Sequence, residues 1–86
     1  MEERPETGQA GPVEDARGLL CPLPVVRLGR RVAAVEPGTE VLLLADDPMA
    51  AEDVRLWAAG AGHELLRVEE EDDGTLRITV RKAPAG

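Results

Sequence analysis

The sequence predicts an α/β protein, a two-layer sandwich in which a mixed four-stranded sheet carries both helices on one face. Three observations predict this fold class. Apolar residues recur at helical spacing in two segments, strand-length apolar runs alternate with those segments, and a tight turn joins the last two runs. The element order is therefore β-α-β-α-β-β. Because helix-length connections permit parallel pairing and a tight turn imposes antiparallel pairing, we expect a mixed sheet.

The first half of the chain supplies a strand, a helix and a second strand. Residues 13–16 form a short strand, and Pro22 occupies the first position of a helix, where its missing N–H is tolerated. The apolar stripe of that helix consists of Val25, Leu28, Val32 and Val35. A Pro-Gly pair ends the helix, and the apolar run within residues 39–46 predicts a buried strand.

The second half supplies the other helix and a hairpin. Asp47 is the expected N-cap, with Pro48 in the first turn and Gly60 or Gly62 at the C-terminal end. The expected core stripe of this helix consists of Ala50, Val54, Trp57, Ala58 and Ala61. Two alternating strands follow, the first carrying Leu66 and Val68, the second Leu76, Ile78 and Val80. Their turn contains Asp73 and Gly74, and the second face of the hairpin is polar.

Length and composition indicate one domain. The 86 residues leave little room for a second core, and we assign residues 13–82 to the domain, 1–12 to a disordered tail and 83–86 to a loose tail. The single cysteine excludes an intramolecular disulfide and a multi-thiolate metal site, so we predict no cofactor and no metal. No leader or membrane-spanning run is visible, and we predict a cytoplasmic protein.

The charge of the chain is acidic but uneven. A net charge of −7 argues against direct nucleic-acid binding and against a membrane-surface protein, because both need a basic surface. Residues 1–16 carry five acids and one base, a net of −4, whereas residues 17–35 carry four bases and no acid, a net of +4. The four bases are Arg17, Arg27, Arg30 and Arg31. The only cysteine lies in this basic segment.

Cys21 is the leading candidate for chemistry. We expect it to be the N-cap of the first helix, where the helix dipole favours a thiolate and lowers the thiol pKa from about 8.5 to between roughly 3.5 and 7.5. Pro22 and Pro24 lack N–H groups and stiffen the turn, which leaves the Leu23 N–H as the chief donor near the sulfur. The competing interpretation is a small buried apolar side chain, as most lone cysteines are. The position and the local arginines favour a reactive thiol.

These residues carry a family resemblance. The stretch RGLLCPLP, the following helix and PG, then ADDP, a second helix and HELL strongly resemble the TusA/SirA-like family of small sulfur-carrier proteins. The similarity covers about residues 13–82. Gly18 and Leu19 match the lead-in of the Cys-Pro-x-Pro motif, and Pro22 and Pro24 match its two prolines. The resemblance implies a compact two-layer α/β fold and a persulfide carried on Cys21.

The resemblance also implies the partners. A cysteine desulfurase or a rhodanese-type protein would charge Cys21, and an acceptor protein would take the sulfur onward. Examples of its destination are tRNA thiolation, molybdenum-cofactor assembly and sulfur oxidation. We interpret the protein as a sulfurtransferase-type carrier rather than a stand-alone enzyme, and we expect a monomer. The four arginines are candidates for docking an acidic partner and for tuning the thiol.

Three alternatives remain open at this point. The protein could instead be a thiol-based redox or regulatory interaction module in which Cys21 senses oxidants. Asp46 and Asp47 are interpreted first as helix-capping residues and second as partner contacts. His63, the only histidine, is interpreted as a structural residue at a strand start rather than as a base for the thiol.

Overall fold

The computed structural model describes residues 11–84 as one sheet covered by two helices. The strands are β1 (Val13–Asp15), β2 (Glu40–Ala45), β3 (Glu64–Glu70) and β4 (Leu76–Arg81), and the helices are α1 (Leu23–Ala33) and α2 (Ala50–Ala61). The strand order is β1-β2-β4-β3. The β1–β2 pair is parallel, whereas the β2–β4 and β3–β4 pairs are antiparallel. The predicted fold class, with its mixed sheet and element order, is confirmed.

The core lies between the sheet and the helices. Alternate residues of β2 and β4 are fully buried on the helix side, and one apolar stripe of each helix meets them. The buried apolar side chains are Ala16, Leu28, Val32, Val41, Leu43, Ala45, Ala50, Val54, Ala58, Ile78 and Val80. The helical proline Pro24 is also fully buried, so it fills space in the core besides stiffening the turn.

The start of α2 corrects the predicted capping. Met49 holds the N-cap position, and the helix begins at Ala50 rather than around Pro48. The Asp47 carboxylate still accepts the Met49 N–H, at 2.9 Å, which closes a turn ahead of the helix. At the other end Gly62 is the left-handed cap, with φ +83°, whereas Gly60 lies inside the helix. Ala61, expected in the core stripe, is exposed.

The hairpin contains an irregularity that no sequence pattern predicted. The register of β3 against β4 shifts between Leu65 and Arg67, which is the signature of a bulge. Leu65 therefore packs against the core, although the alternation pointed to Leu66 as the apolar position. The turn is as predicted, since Gly74 has φ +92° and Asp73 accepts the Thr75 N–H at 2.9 Å.

The open face of the sheet is less polar than expected. Leu42 and Leu44 of β2 project to that face and are half-buried, and Thr79 of β4 is buried there at 4% exposure. The expectation of a polar face came from the hairpin strands alone. Because β2 lies between β1 and β4, the side chains of those two strands flank Leu42 and Leu44 on the open face and partly shield them from water. The strand β2 is therefore apolar on both faces.

Two residues of the predicted tails, Pro12 and Ala83, form hydrogen bonds to the fold through main-chain groups. The Pro12 carbonyl accepts the Leu42 N–H at 3.0 Å, and the Ala83 N–H donates to Nδ1 of His63 at 2.9 Å. Residues 1–10 and 85–86 of the predicted tails lie outside the described residues. Within residues 11–84, neither helix is long and apolar enough to cross a membrane.

Candidate functional site

Cys21 lies in the loop that leads from β1 to α1, and it is exposed. The prediction that it is the helix N-cap is wrong, because Pro22 holds that position and forms no side-chain capping bond. The Leu23 N–H, expected near the sulfur, instead donates to the Leu20 carbonyl at 2.8 Å. This local turn uses the Leu23 N–H, which is therefore not available to cap the thiol. The Cys21–Pro22 peptide bond is cis.

Two carboxylates at the end of β2 hold the cysteine loop. The Gly18 N–H donates to both carboxylate oxygens of Asp46, at 3.0 and 3.2 Å, and the Cys21 N–H donates to Oδ2 of Asp47 at 2.6 Å. Gly18 has φ +86°, a conformation that favours glycine and turns the chain toward these acceptors. Asp46 and Asp47 therefore fasten the cysteine loop to the rest of the fold, a role that combines capping with loop support.

The thiol itself contacts a third carboxylate. Sγ of Cys21 donates to Oδ2 of Asp53, in the first turn of α2, at 2.6 Å. This bond is the largest cause that raises the pKa of the Cys21 thiol above its ordinary value, followed by desolvation and the negative charges of Asp53 and Asp47. The prediction of a lowered pKa is therefore wrong. A neighbouring carboxylate favours the protonated thiol and repels a thiolate.

Sequence reasoning missed Asp53 as a site residue. Its position in the first turn of α2, where the helix dipole favours acids, explains its presence there without a role in the site. Asp53 and Cys21 are 32 positions apart, and no spacing rule connects a helix residue to a distant loop. The contact exists because α1 and α2 pack side by side on the sheet with their N-terminal ends close together.

Two of the four arginines predicted for docking serve the fold. Arg27 and Arg31 lie on α1, and their side chains pair with the buried carboxylate of Glu14 in β1, at 2.8 and 3.0 Å. Buried carboxylates are stable only when they are paired in this way. The bridges therefore pin α1 to the edge strand of the sheet.

The other two arginines, Arg17 and Arg30, do not pair with Glu14. Arg17 forms a bidentate pair with Asp15 and lowers the pKa of that carboxyl to about 2. Arg30 lines a shallow groove together with Arg27 and Arg31. The charges that act on the thiol are carboxylates rather than these arginines, so the predicted tuning of Cys21 by arginine is wrong. Docking by Arg30 stays a prediction.

Exposed apolar side chains lie in the cysteine loop, on α1, and on α2 together with the residue before it. Leu20 and Leu23 flank Cys21 in sequence and are 72% and 48% exposed. Met49, the N-cap of α2, and Leu56 within that helix stand four residues before and three residues after Asp53, so they lie on its side of the helix. We call this set, Leu20, Leu23, Val26, Met49 and Leu56, the apolar collar. It contains five of the seven large apolar side chains that are exposed within residues 11–84.

His63 lies away from the thiol. Its Nδ1 accepts the Ala83 N–H, and its ring lies 5.0 Å from that of Trp57, centroid to centroid. It follows the C-terminal cap of α2, ten residues beyond Asp53, which corresponds to about 15 Å along the helix. His63 thus has structural contacts, and it is too distant to be a base for Cys21. Trp57 is half-buried and packs against the core.

Comparison with known proteins places this arrangement in a family. The family described as Sulfurtransferase TusA matches residues 14–82. A "Putative sulfur carrier protein" of Archaeoglobus fulgidus is 41% identical over 70 residues, which cover 81% of this chain and 94% of that protein. "Sulfur carrier protein TusA" of Pseudomonas aeruginosa is 37% identical over 79% of this chain and 85% of its own.

A solved structure extends the similarity to the fold. The crystal structure of a SirA-like protein from Desulfitobacterium hafniense matches with a TM-score of 0.75 and 29% sequence identity. The match covers 84% of this chain and 97% of the other. The resemblance to the TusA/SirA-like proteins that the Cys-Pro-x-Pro motif indicated is confirmed.

Proposed function

Because this chain belongs to the TusA sulfurtransferase family, we propose that it is a sulfur carrier whose Cys21 holds the transferred sulfur as a persulfide. The observation that carries the proposal is an exposed thiol flanked in the chain by the exposed side chains of Leu20 and Leu23, two residues of the apolar collar. Four surface cavities, of about 210 to 340 Å³, are lined by residues other than Cys21. A thiol on an apolar surface suits a protein reactant better than a small molecule.

The chemistry requires one accessible thiol. Cys21 attacks the outer sulfur of a donor persulfide, a sulfur–sulfur bond forms at Sγ, and the donor leaves as its thiol. An acceptor thiol then attacks the outer sulfur on Cys21 and takes it away by the same exchange. Since the chain has no second cysteine, the persulfide cannot be resolved into an internal disulfide. Loss of the carried sulfur therefore requires a thiol from outside the chain.

This exchange requires a donor and an acceptor, and the family membership supports both in general terms. A protein of the cysteine desulfurase or rhodanese type supplies the sulfur, and a second protein accepts it, for tRNA thiolation, molybdenum-cofactor assembly or sulfur oxidation. The carrier meets each partner in turn through the same end of the molecule, and it does so as a monomer in the cytoplasm, where thiols stay reduced. Residues 13–82 form the carrier domain, and Arg30 contributes to docking an acidic partner.

The redox-sensor alternative has less support. A sensor cysteine needs thiolate character at neutral pH to react with oxidants. The bond from Cys21 to Asp53 raises the thiol pKa and works against such a role. A carrier can tolerate a protonated resting thiol, provided that transfer itself removes the proton.

The test measures sulfur loading directly. The protein is incubated with a cysteine desulfurase and cysteine, and separately with a rhodanese and thiosulfate, and its intact mass is recorded before and after reductant. We expect the gain of one reducible sulfur atom from at least one donor, and no gain in Cys21→Ser. The proposal fails if neither donor loads the wild-type protein while Cys21 still alkylates.

A further inference from the structure

The contact between Asp53 and the thiol is unlike the other bonds of the site. Asp46 and Asp47 accept main-chain N–H groups and so support the loop, whereas Asp53 accepts the sulfur's own proton at 2.6 Å. Asp53 belongs to α2 and Cys21 to the loop before α1, so the contact between the carboxylate and the thiol joins two separate elements of the fold. A carboxylate within hydrogen-bonding reach of a reactive proton has the geometry of a general base.

The electrostatic surroundings fix the resting state of the thiol. The charged groups that act on Cys21 are Asp53 of α2 and Asp47 of the loop between β2 and α2. Both are negative, and both raise the pKa of the thiol. The unloaded protein therefore holds Cys21 protonated at neutral pH. A protonated thiol is a poor nucleophile, so the free carrier reacts slowly with adventitious electrophiles and oxidants.

We propose that Asp53 is a catalytic residue of the sulfur transfer, which keeps Cys21 protonated in the free carrier and accepts its proton as a donor persulfide is attacked. This inference rests on the proposed function, since it concerns the same thiol. The inference assigns Asp53 a part in the transfer in addition to Cys21. It also explains how a carrier with a protonated thiol still exchanges sulfur. The proton leaves only when a donor sulfur is held against Sγ.

The step balances without any oxidant or reductant. The Cys21 thiol gives its proton to the Asp53 carboxylate, and its sulfur forms a bond to the outer sulfur of the donor persulfide. The sulfur–sulfur bond of the donor breaks, and its electron pair goes to the inner donor sulfur. That thiolate then receives the proton from the Asp53 carboxylic acid. The products are a persulfide on Cys21 and a donor thiol.

The experiment compares three variants with the wild-type protein. Asp53→Asn keeps the shape of the side chain and removes its basicity, and Asp53→Glu keeps a carboxylate. Glu52→Gln is the matched control, because it removes one negative charge from the neighbouring position, where Glu52 pairs with Arg55. Two readouts are taken: the alkylation rate of Cys21 by iodoacetamide from about pH 6 to 10, and the rate of sulfur loading at saturating donor protein.

The two readouts should move in opposite directions in Asp53→Asn. Its alkylation profile shifts to lower pH, so alkylation at pH 7 is faster, whereas loading from the donor slows by about tenfold or more. Asp53→Glu regains part of the loading rate, and Glu52→Gln resembles the wild type in both. A purely structural role for Asp53 would not produce faster alkylation together with slower transfer.

Two results overturn the inference. One is an unchanged alkylation profile in Asp53→Asn, which means that Asp53 does not hold the thiol proton. The other is unimpaired or faster loading in that variant, which means that Asp53 takes no part in the transfer. Either result can occur while wild-type protein loads normally, so the proposed function would stand. Failure of wild-type loading would instead overturn the carrier function, and the transfer role of Asp53 with it.

Discussion

The carboxylate of Asp47 accepts the backbone N–H of Cys21 at 2.6 Å, so a residue that follows β2 holds the main chain of a cysteine 26 positions earlier. The same carboxylate accepts the Met49 N–H at 2.9 Å. One side chain thus joins the cysteine loop to the start of α2, the helix that carries Asp53. The position of the thiol relative to Asp53 depends on this junction.

Replacing Asp47 by asparagine should loosen the junction. The amide side chain of Asp47→Asn would retain only one acceptor oxygen for the two N–H donors, and a neutral acceptor forms weaker bonds than a carboxylate. We expect a lower urea midpoint and faster hydrogen exchange at the Cys21 and Met49 amides. Asp72→Asn, at the exposed hairpin turn, is the control and should leave the midpoint unchanged. An equal midpoint in both variants would contradict the role given to Asp47.

The pH dependence of the free energy of unfolding should include a contribution from the Asp47 carboxyl. The two N–H donors hold the pKa of Asp47 below its ordinary value. A carboxyl whose folded-state pKa is lowered stabilises the fold above its unfolded pKa of about 3.9, and the contribution is lost as the pH falls through the folded value. Thermal melts between about pH 2 and 6 should therefore show a smaller loss of stability on acidification for Asp47→Asn than for the wild type. Equal losses would argue against this assignment.

Core packing predicts that replacing two leucines on neighbouring helices has very different effects on the free energy of unfolding. Leu28 of α1 is fully buried, whereas Leu56 of α2 is 63% exposed. Leu28→Ala leaves a cavity and should lower the free energy of unfolding by about 3 kcal/mol. Leu56→Ala should change it by less than about 0.5 kcal/mol. Urea unfolding of the two variants measures the difference, and similar losses would contradict the described packing.

The arginines of α1 should separate into structural and docking residues. Arg27→Ala removes a half-exposed partner of the buried Glu14 carboxylate, and we expect a loss of about 1 kcal/mol in unfolding free energy. Arg30→Ala should leave stability unchanged and weaken the affinity for an acidic partner, most strongly at low salt. Unfolding curves and donor titrations at two salt concentrations distinguish the roles. A loss of stability in Arg30→Ala with unchanged partner affinity would reverse the assignment.

The apolar collar should matter only for protein partners. A double variant, Leu20→Ser with Leu56→Ser, removes the two most exposed apolar side chains of the collar, and we expect the KM for a protein donor to rise by about tenfold. Loading from a small persulfide such as glutathione persulfide should be unchanged, because it does not cover the collar. Val68→Ser, an exposed apolar position on β3, is the control. If the double variant slowed loading from the protein donor and from the small persulfide equally, the substitutions would be acting on the reactivity of the thiol and not on the docking of a protein.

The sequence already contained most of the fold. The helical stripe with Leu28 and Val32 and the apolar run of β2 are properties of local periodicity, so the element order and the mixed sheet could be derived from them. The bulge at Leu65 and Arg67 could not, because a bulge is a relation between two paired strands.

The candidate site likewise has one part that the sequence predicts and one part that depends on the folded structure. A single thiol in a Cys-Pro-x-Pro motif is a local feature, so the sequence was sufficient to identify Cys21 as the candidate carrier and to show that no second cysteine competes with it. The acid–base surroundings of that thiol, in contrast, arise from contacts between distant parts of the chain. Local rules placed Cys21 in the positive field of a helix start, whereas folding brought Asp47 and Asp53 against it from elsewhere in the chain. Electrostatic effects depend on distance in space, and sequence separation does not determine that distance.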